Sequence, residues 1–409
     1  MPLRTRPSHR PRRLRPATLA GALLAACSGG SATGPTPPSV AAVRVDVDTV
    51  RLKVGRSAQV TARAVDASGS PVANAPLVFA LRDTAVARLT GSSVVGGARL
   101  GTTRLRVSAG SASVDVPVVV SFDSASYARR PLDGGPFGIA LGADVVVVTQ
   151  KDANALATGA LGAPAMSGGI AVGAVPTDVA INAAGREAYV TNQYSNSLGV
   201  VDVAARRQVA AVPLPASPYR AVLSRDERRV WVTTNVGGIY AVDVASRRVV
   251  DSLPGAGPTN GFALAPGDTL AYASNYYGEV REFDVRTRQV RRTFRAPGVL
   301  QEVVISGDAR ELYVGNESGF IEVFDLAGTA STPVVRLGVG QVFGMALGPD
   351  GNTLFVARTL DGAIAAIDRQ TRNTLFSYTI GGLPRRVKFA GSGAAIVVAN
   401  EAGWVDVLR

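Results

Sequence analysis

Tyr189-Val190-Thr191-Asn192 is one of seven related runs in this chain. The others read Val147-Val148-Thr149-Gln150, Trp231-Val232-Thr233-Thr234, Tyr272-Ala273-Ser274-Asn275, Tyr313-Val314-Gly315-Asn316, Phe355-Val356-Ala357-Arg358 and Val397-Val398-Ala399-Asn400. Successive copies lie 41 or 42 residues apart. Such a density of β-branched and aromatic residues marks strands. Except in the first copy, another strand ends eight residues earlier, as in Val179-Ala180-Ile181, ahead of a turn bearing Gly or Asp. A third strand comes about ten residues later and ends in Asp202, Asp243, Asp284, Asp325 or Asp368. A fourth follows, as in Arg207-Gln208-Val209-Ala210-Ala211-Val212. Four antiparallel strands in each of seven units predict a seven-bladed β-propeller.

The four residues Tyr189 to Asn192 spell the motif of a known family, and residues 126–409 resemble the YVTN-repeat β-propellers of bacterial surface and periplasmic proteins. The first copy departs from the pattern, with a shortened turn and a weak third strand. The last unit ends at Arg409, in line with Asp325 and so with a third strand. Its outer strand is expected from Ser126 to Leu132, which precedes Pro136 as Val209 to Leu214 precedes Pro218. That pairing would close the ring and leave no open sheet edge.

Upstream, residues 40–121 alternate apolar and polar positions, with turn signals every 8–12 residues as in a β-sandwich. Gln59 to Ala64 reads as one strand with Val60, Ala62 and Ala64 on one side. Thr103, Leu105 and Val107 point inward in another, with Arg104 and Arg106 outward, and Val114 to Val120 alternate in the last. The order Val54-Gly55, Val65-Asp66, Gly69-Ser70-Pro71-Val72, Asn74, Val78-Phe79, Ala87, Gly101 is similar to bacterial Ig-like group 2 domains. The resemblance implies a spacer or an adhesive module. The fold class is thus all-β, an Ig-like sandwich followed by a propeller.

The chain has one histidine, His9, and one cysteine, Cys27, among 409 residues. Six arginines in residues 1–16 precede an apolar run of roughly ten residues, Ala17 to Ala26, too short to span a bilayer. The ending Leu24-Ala25-Ala26-Cys27 resembles the lipobox of bacterial lipoproteins. The resemblance implies a signal peptide over 1–26, lipidation of Cys27 and, with Ser28 next, an outer-membrane lipoprotein facing the periplasm or the cell surface. Residues 27–39 supply a Gly/Ser/Pro tether. Loss of 1–26 together with lipidation of Cys27 would leave neither imidazole nor free thiol for nucleophilic triads or the usual zinc and haem sites. Half the formal charge of +12 resides in those six arginines, so nucleic-acid binding loses much of its electrostatic basis.

Function is expected at the end of the propeller where chains enter inner strands and leave second strands. The residue just before each inner strand reads Gly138, Asp178, Arg220, Gly261, Glu302, Gly344 and Arg386. Two acids, two bases and three glycines make no metal ring. Asp178 and Arg220, in adjacent blades, either pair or meet a ligand. The second loop set offers Gln193, Tyr194, Tyr276, Tyr277, Glu317, Arg358 and Glu401, with Trp404 nearby. Tyr276-Tyr277 either stack on a partner or pack between loops. Tyr194, Arg220, Tyr276, Tyr277, Glu317, Arg358, Arg386 and Trp404 are the candidate contacts, and no catalytic residue, metal or cofactor is expected. The opposite end is basic, with Arg206-Arg207, Arg247-Arg248, Arg286 with Arg288, and Arg369 with Arg372. These arginines either rest on anionic headgroups or serve as ordinary solvating residues. The expected function is a lipid-anchored envelope scaffold that binds a protein or a glycan. A lactonase- or lyase-type enzyme, with Glu302 or Glu317 as general base, and a surface-layer component are the alternatives.

Overall fold

Consecutive β-runs from Pro136 onward pair with their sequence neighbours in a computed structural model. It describes residues 39–97, 99–122, 127–390 and 395–409. Cys27, the apolar leader and nearly all of the tether lie outside the described residues. The first sheet runs Pro136–Gly142, Val145–Gln150, Ala155–Ala160, Ser167–Ala171, in that order from inner to outer strand. Five more four-stranded sheets repeat the order, with inner strands Pro176–Ile181, Pro218–Leu223, Thr259–Leu264, Leu300–Ile305 and Val342–Leu347. The seventh is assembled from both ends of this region. Pro384–Phe389, Ile396–Asn400 and Trp404–Leu408 are joined by Ala128–Pro131, which pairs antiparallel with the last of them. The chain is therefore all-β with repeated four-stranded sheets, a β-propeller-like architecture.

The sheets are glued face to face by the aromatic that opens each repeated run. Tyr189, Trp231, Tyr272, Tyr313 and Phe355 are all at most 2% exposed. Each sits in a cluster shared with the following sheet, Trp231 with Phe262 and Ala273, and Tyr313 with Val342 and Met345. The cycle ends where Ile139 and Val146 of the first sheet meet Val397 and Val405 of the seventh. Burying one such ring contributes about 1.5–3 kcal/mol relative to leaving it in water.

The turn after each third strand explains the recurring aspartates and corrects the reading of the basic end. Oδ1 of Asp202, Asp243, Asp284 and Asp368 accepts the backbone N–H three residues on, at 2.7–2.8 Å. An arginine one residue later takes a left-handed backbone, φ 51° at Arg206, 55° at Arg247, 64° at Arg288 and 63° at Arg372. That conformation aims the side chain back at the preceding sheet. Arg247 meets Glu187 at 3.2 Å, Arg288 meets Asp251 at 2.6 Å, and Arg372 joins Arg369 on Glu311. Arg206 donates to Thr158 Oγ1 and the Gly168 carbonyl. These side chains clasp neighbouring sheets rather than merely solvating the surface.

The segment before the repeats forms a separate set of sheets around its own core of Val43, Leu52, Val60, Val94, Leu105, Val107 and Val118. Val50–Lys53 runs parallel to Ala112–Ser121, which pairs with Gly101–Ala109, itself paired with Val78–Leu81. The single strand expected over Gln59 to Ala64 is two. Ser57–Gln59 pairs with Ser93–Gly96, and Ala62–Val65 with Ala42–Val45. Buried Val60 sits between them, where the chain passes from one sheet to the other.

This segment is seated on the sixth and seventh sheets rather than hanging free. Leu100 and Phe122 share a core with Phe355, Ile364, Val387 and Ile396. Phe122 meets Phe376 and Tyr378 edge-on, with ring centroids 5.7 and 4.7 Å apart. Asp350 Oδ2 accepts the Thr102 N–H at 2.8 Å, and Arg51 and Arg104 reach the Leu375 carbonyl and Gln370. Among the described residues, no helix is long and apolar enough to cross a membrane.

Candidate functional site

The inner strands begin three residues earlier than their sequence suggested. Pro136, Pro176, Pro218, Thr259, Leu300, Val342 and Pro384 each pair with the last residue of a second strand, across a bulge. Asp178, Arg220, Glu302 and Arg386 therefore lie inside strands, not in entry loops. A bulge adds one residue to one strand and re-aims its side chains. Here it brings four ionised side chains together, each at most 4% exposed.

Their geometry is a charge chain. Arg220 Nη1 stands 3.3 Å from Asp178 Oδ2, and its Nη2 lies 2.5 Å from Glu302 Oε1. Arg386 Nη1 sits 2.5 Å from Glu302 Oε2. Asp178 also accepts the backbone N–H of Ala221 at 3.1 Å. Burial opposes ionisation of Glu302, yet the two guanidinia hold its carboxyl below the usual glutamate value. On the loop side, Phe137, Tyr219 and Phe343 form a small buried cluster, Phe137 and Phe343 meeting edge-on at 5.5 Å. Arg386 stacks over Phe343 with its guanidinium carbon 4.8 Å from the ring centre. On the turn side, the inner strands line a cavity of about 580 Å³ that reaches Arg225 and Asp268.

The remaining candidates occupy the loop end. Tyr194 and Tyr277 are 74% and 75% exposed, and Tyr276 is 41% exposed. Val236, Leu360 and Leu383, unremarked in the sequence, add exposed apolar side chains at the same end. Glu317 accepts from Gln301 at 2.5 Å, and Arg358 pairs with Asp361 at 2.5 Å. Trp404 is covered by Arg129 of the closing strand, whose guanidinium carbon lies 3.9 Å from the ring centre. Glu401 is held by Lys151 and Arg385. The structure joins Arg220 and Arg386 through Glu302 and leaves the tyrosines to solvent. Lys388, which lines the cavity, escaped the sequence reading. Its one signal was a lysine in a chain with only three.

No protein-family model and no curated protein matches the chain. Among solved structures, the chain is similar to Kuenenia stuttgartiensis hydrazine synthase. The match has a TM-score of 0.63 and 17% identity over 70% of this chain and 99% of that one. Likeness at that identity speaks for the fold alone.

Proposed function

We propose that this protein is a seven-bladed propeller of the YVTN-repeat kind that recognises a protein partner in the bacterial envelope. In this reading an Ig-like domain (residues 40–121) carries the propeller, and lipidated Cys27 tethers both to the outer membrane. The observation that supports recognition is the grouping of exposed Tyr194, Val236, Tyr276, Tyr277, Leu360 and Leu383 at one end of the sheets. Apolar side chains gathered on one face of a soluble domain mark contact surfaces, and tyrosine is enriched in the residues that carry interface energy. Aliphatic Val236 and Leu360 fit a protein better than a glycan. The enzymatic alternative has less support, because Glu302 and Glu317 are both engaged by neighbouring side chains.

A photo-crosslinking residue in place of Tyr277 tests this in envelope preparations, with the same residue at exposed Arg207 as control. A single protein captured from position 277 and not from 207 is the expected result. A protease-resistant adduct would replace the protein partner with a glycan. Identical adducts from both positions, or none, would overturn the recognition. Palmitate labelling that persists in Cys27→Ser would separately remove the lipid anchor.

A further inference from the structure

One ring of side chains breaks the sevenfold repetition. Ala140, Ala180, Val222, Ala263, Val304, Ala346 and Lys388 are equivalent, each paired with the first residue of a repeated run. Six are small and aliphatic, and the seventh is a lysine. All seven line the axial cavity. The charged residues Asp178, Arg220 and Glu302 lie two residues deeper along their strands, and Leu141, Ile181, Leu223, Leu264 and Leu347 one residue nearer the mouth.

At the inner end of the cavity the charges do not balance, while Arg225 and Asp268 add one of each sign at its rim. Three cations, Arg220, Arg386 and Lys388, face two carboxylates, Asp178 and Glu302. Both carboxylates are already engaged by the arginines. Among the described residues, Lys388 makes no hydrogen bond or close ion pair and senses Glu302 and Asp178 only at longer range. Burial pushes its ammonium below the usual lysine value. Arg220, 3% exposed, keeps Nε and Nη1 without a hydrogen-bond acceptor. Arg220 is buried and Lys388 half-buried, and an anion between them relieves the cost of their unmatched charge. Between those charges and the rim at Arg225 and Asp268 the walls are hydrocarbon, and about 580 Å³ is ample for a small amphiphile.

We propose that the axial cavity is a binding site for a small aliphatic carboxylate. The head sits between Lys388 and Arg220, where it supplies the missing negative charge. The tail runs outward through the collar of Ala180, Val222, Val304 and Ala346 toward the Leu and Ile side chains at the mouth. Entry is from the turn end, since Phe137, Tyr219 and Phe343 plug the other. This site is independent of the loop-end surface and stands or falls without it.

Calorimetric titration of the purified protein with octanoate tests the site, with octan-1-ol as the uncharged probe. One saturable octanoate per chain is expected, with binding at least tenfold weaker in Lys388→Met and no comparable binding of octanol. Ala346→Phe, which fills the collar without removing a charge, should abolish binding while leaving the melting temperature within a few degrees. Absence of saturable octanoate binding, equal binding by Lys388→Met, or octanol binding as well as octanoate would each overturn the proposal. If Lys388→Met fails to fold, Ala346→Phe decides, and unchanged binding by that variant refutes the site.

Discussion

Arg386 and Glu302 are 84 residues apart in sequence and 2.5 Å apart across the axis, in the seventh and fifth inner strands. Arg220 of the third strand holds the other oxygen of the same carboxylate. One glutamate thus joins three sheets that are not neighbours in the ring. Adjacent sheets are held by apolar faces, and this polar knot acts between sheets that never touch through their cores.

Removing the acceptor that the two guanidinia share leaves buried Arg386 without a carboxylate and Arg220 with Asp178 alone. Breaking a buried ion pair on one side typically costs about 3–5 kcal/mol, because the surviving charge is left unpaired. Glu302→Gln, nearly the same shape, is therefore expected to lose about that much stability in urea denaturation. A loss under about 1 kcal/mol would show that the axial charges are compensated in another way.

The closing strand carries a titratable latch. Asp406 in the seventh sheet accepts Tyr127 Oη–H at 2.6 Å and the Asn400 amide at 3.1 Å, with Arg129 at 3.8 Å. Burial pushes its carboxyl up to about 6, against the lowering effect of those donors. A folded-state value above the ordinary 3.8 means that folding favours the protonated acid. Its contribution is full below about pH 4 and is lost as pH rises through 6. Asp406→Asn, which keeps a neutral hydrogen-bonding group, is expected to match the wild type near pH 4. It should exceed it by up to about 3 kcal/mol at pH 7.5. Denaturation midpoints for both proteins across that range check the sign. Parallel curves would contradict it.

Phe122 couples the N-terminal sheets to the repeats. Its ring lies against Phe376 and Tyr378 and is 2% exposed. Replacing a buried Phe by Ala costs about 3–5 kcal/mol through lost burial and the cavity left behind. Phe122→Ala is expected to split a single calorimetric transition into two, the N-terminal sheets melting first. One transition at an unchanged temperature would show that the polar contacts around Asp350 suffice to couple them.

Much of this architecture was written in local pattern. The 41- or 42-residue spacing, the aromatic that opens each run and the aspartate that ends each third strand are one-dimensional signals. Each reflects a short-range cause, namely strand alternation, a recurring packing position and an Asx turn. The pairing of the leading segment with the last sheet was legible for the same reason, since a unit that lacks one strand leaves an edge to fill. The break of one expected strand after Gln59 was hidden because alternation continues through the crossing between sheets.

The sequence by itself determined the strands, their grouping in fours and the faces they bury, because those follow from period and propensity over a few residues. Only the tertiary structure decided which charges meet. Strand bulges shift Asp178, Arg220, Glu302 and Arg386 from expected loops into the axis, and closure of the ring brings residues from different sheets within hydrogen-bond reach. It also turned Lys388 from one polar residue in a strand into the single cation of an aliphatic ring. Electrostatic partnership depends on distances through space, and no spacing along the chain encodes them.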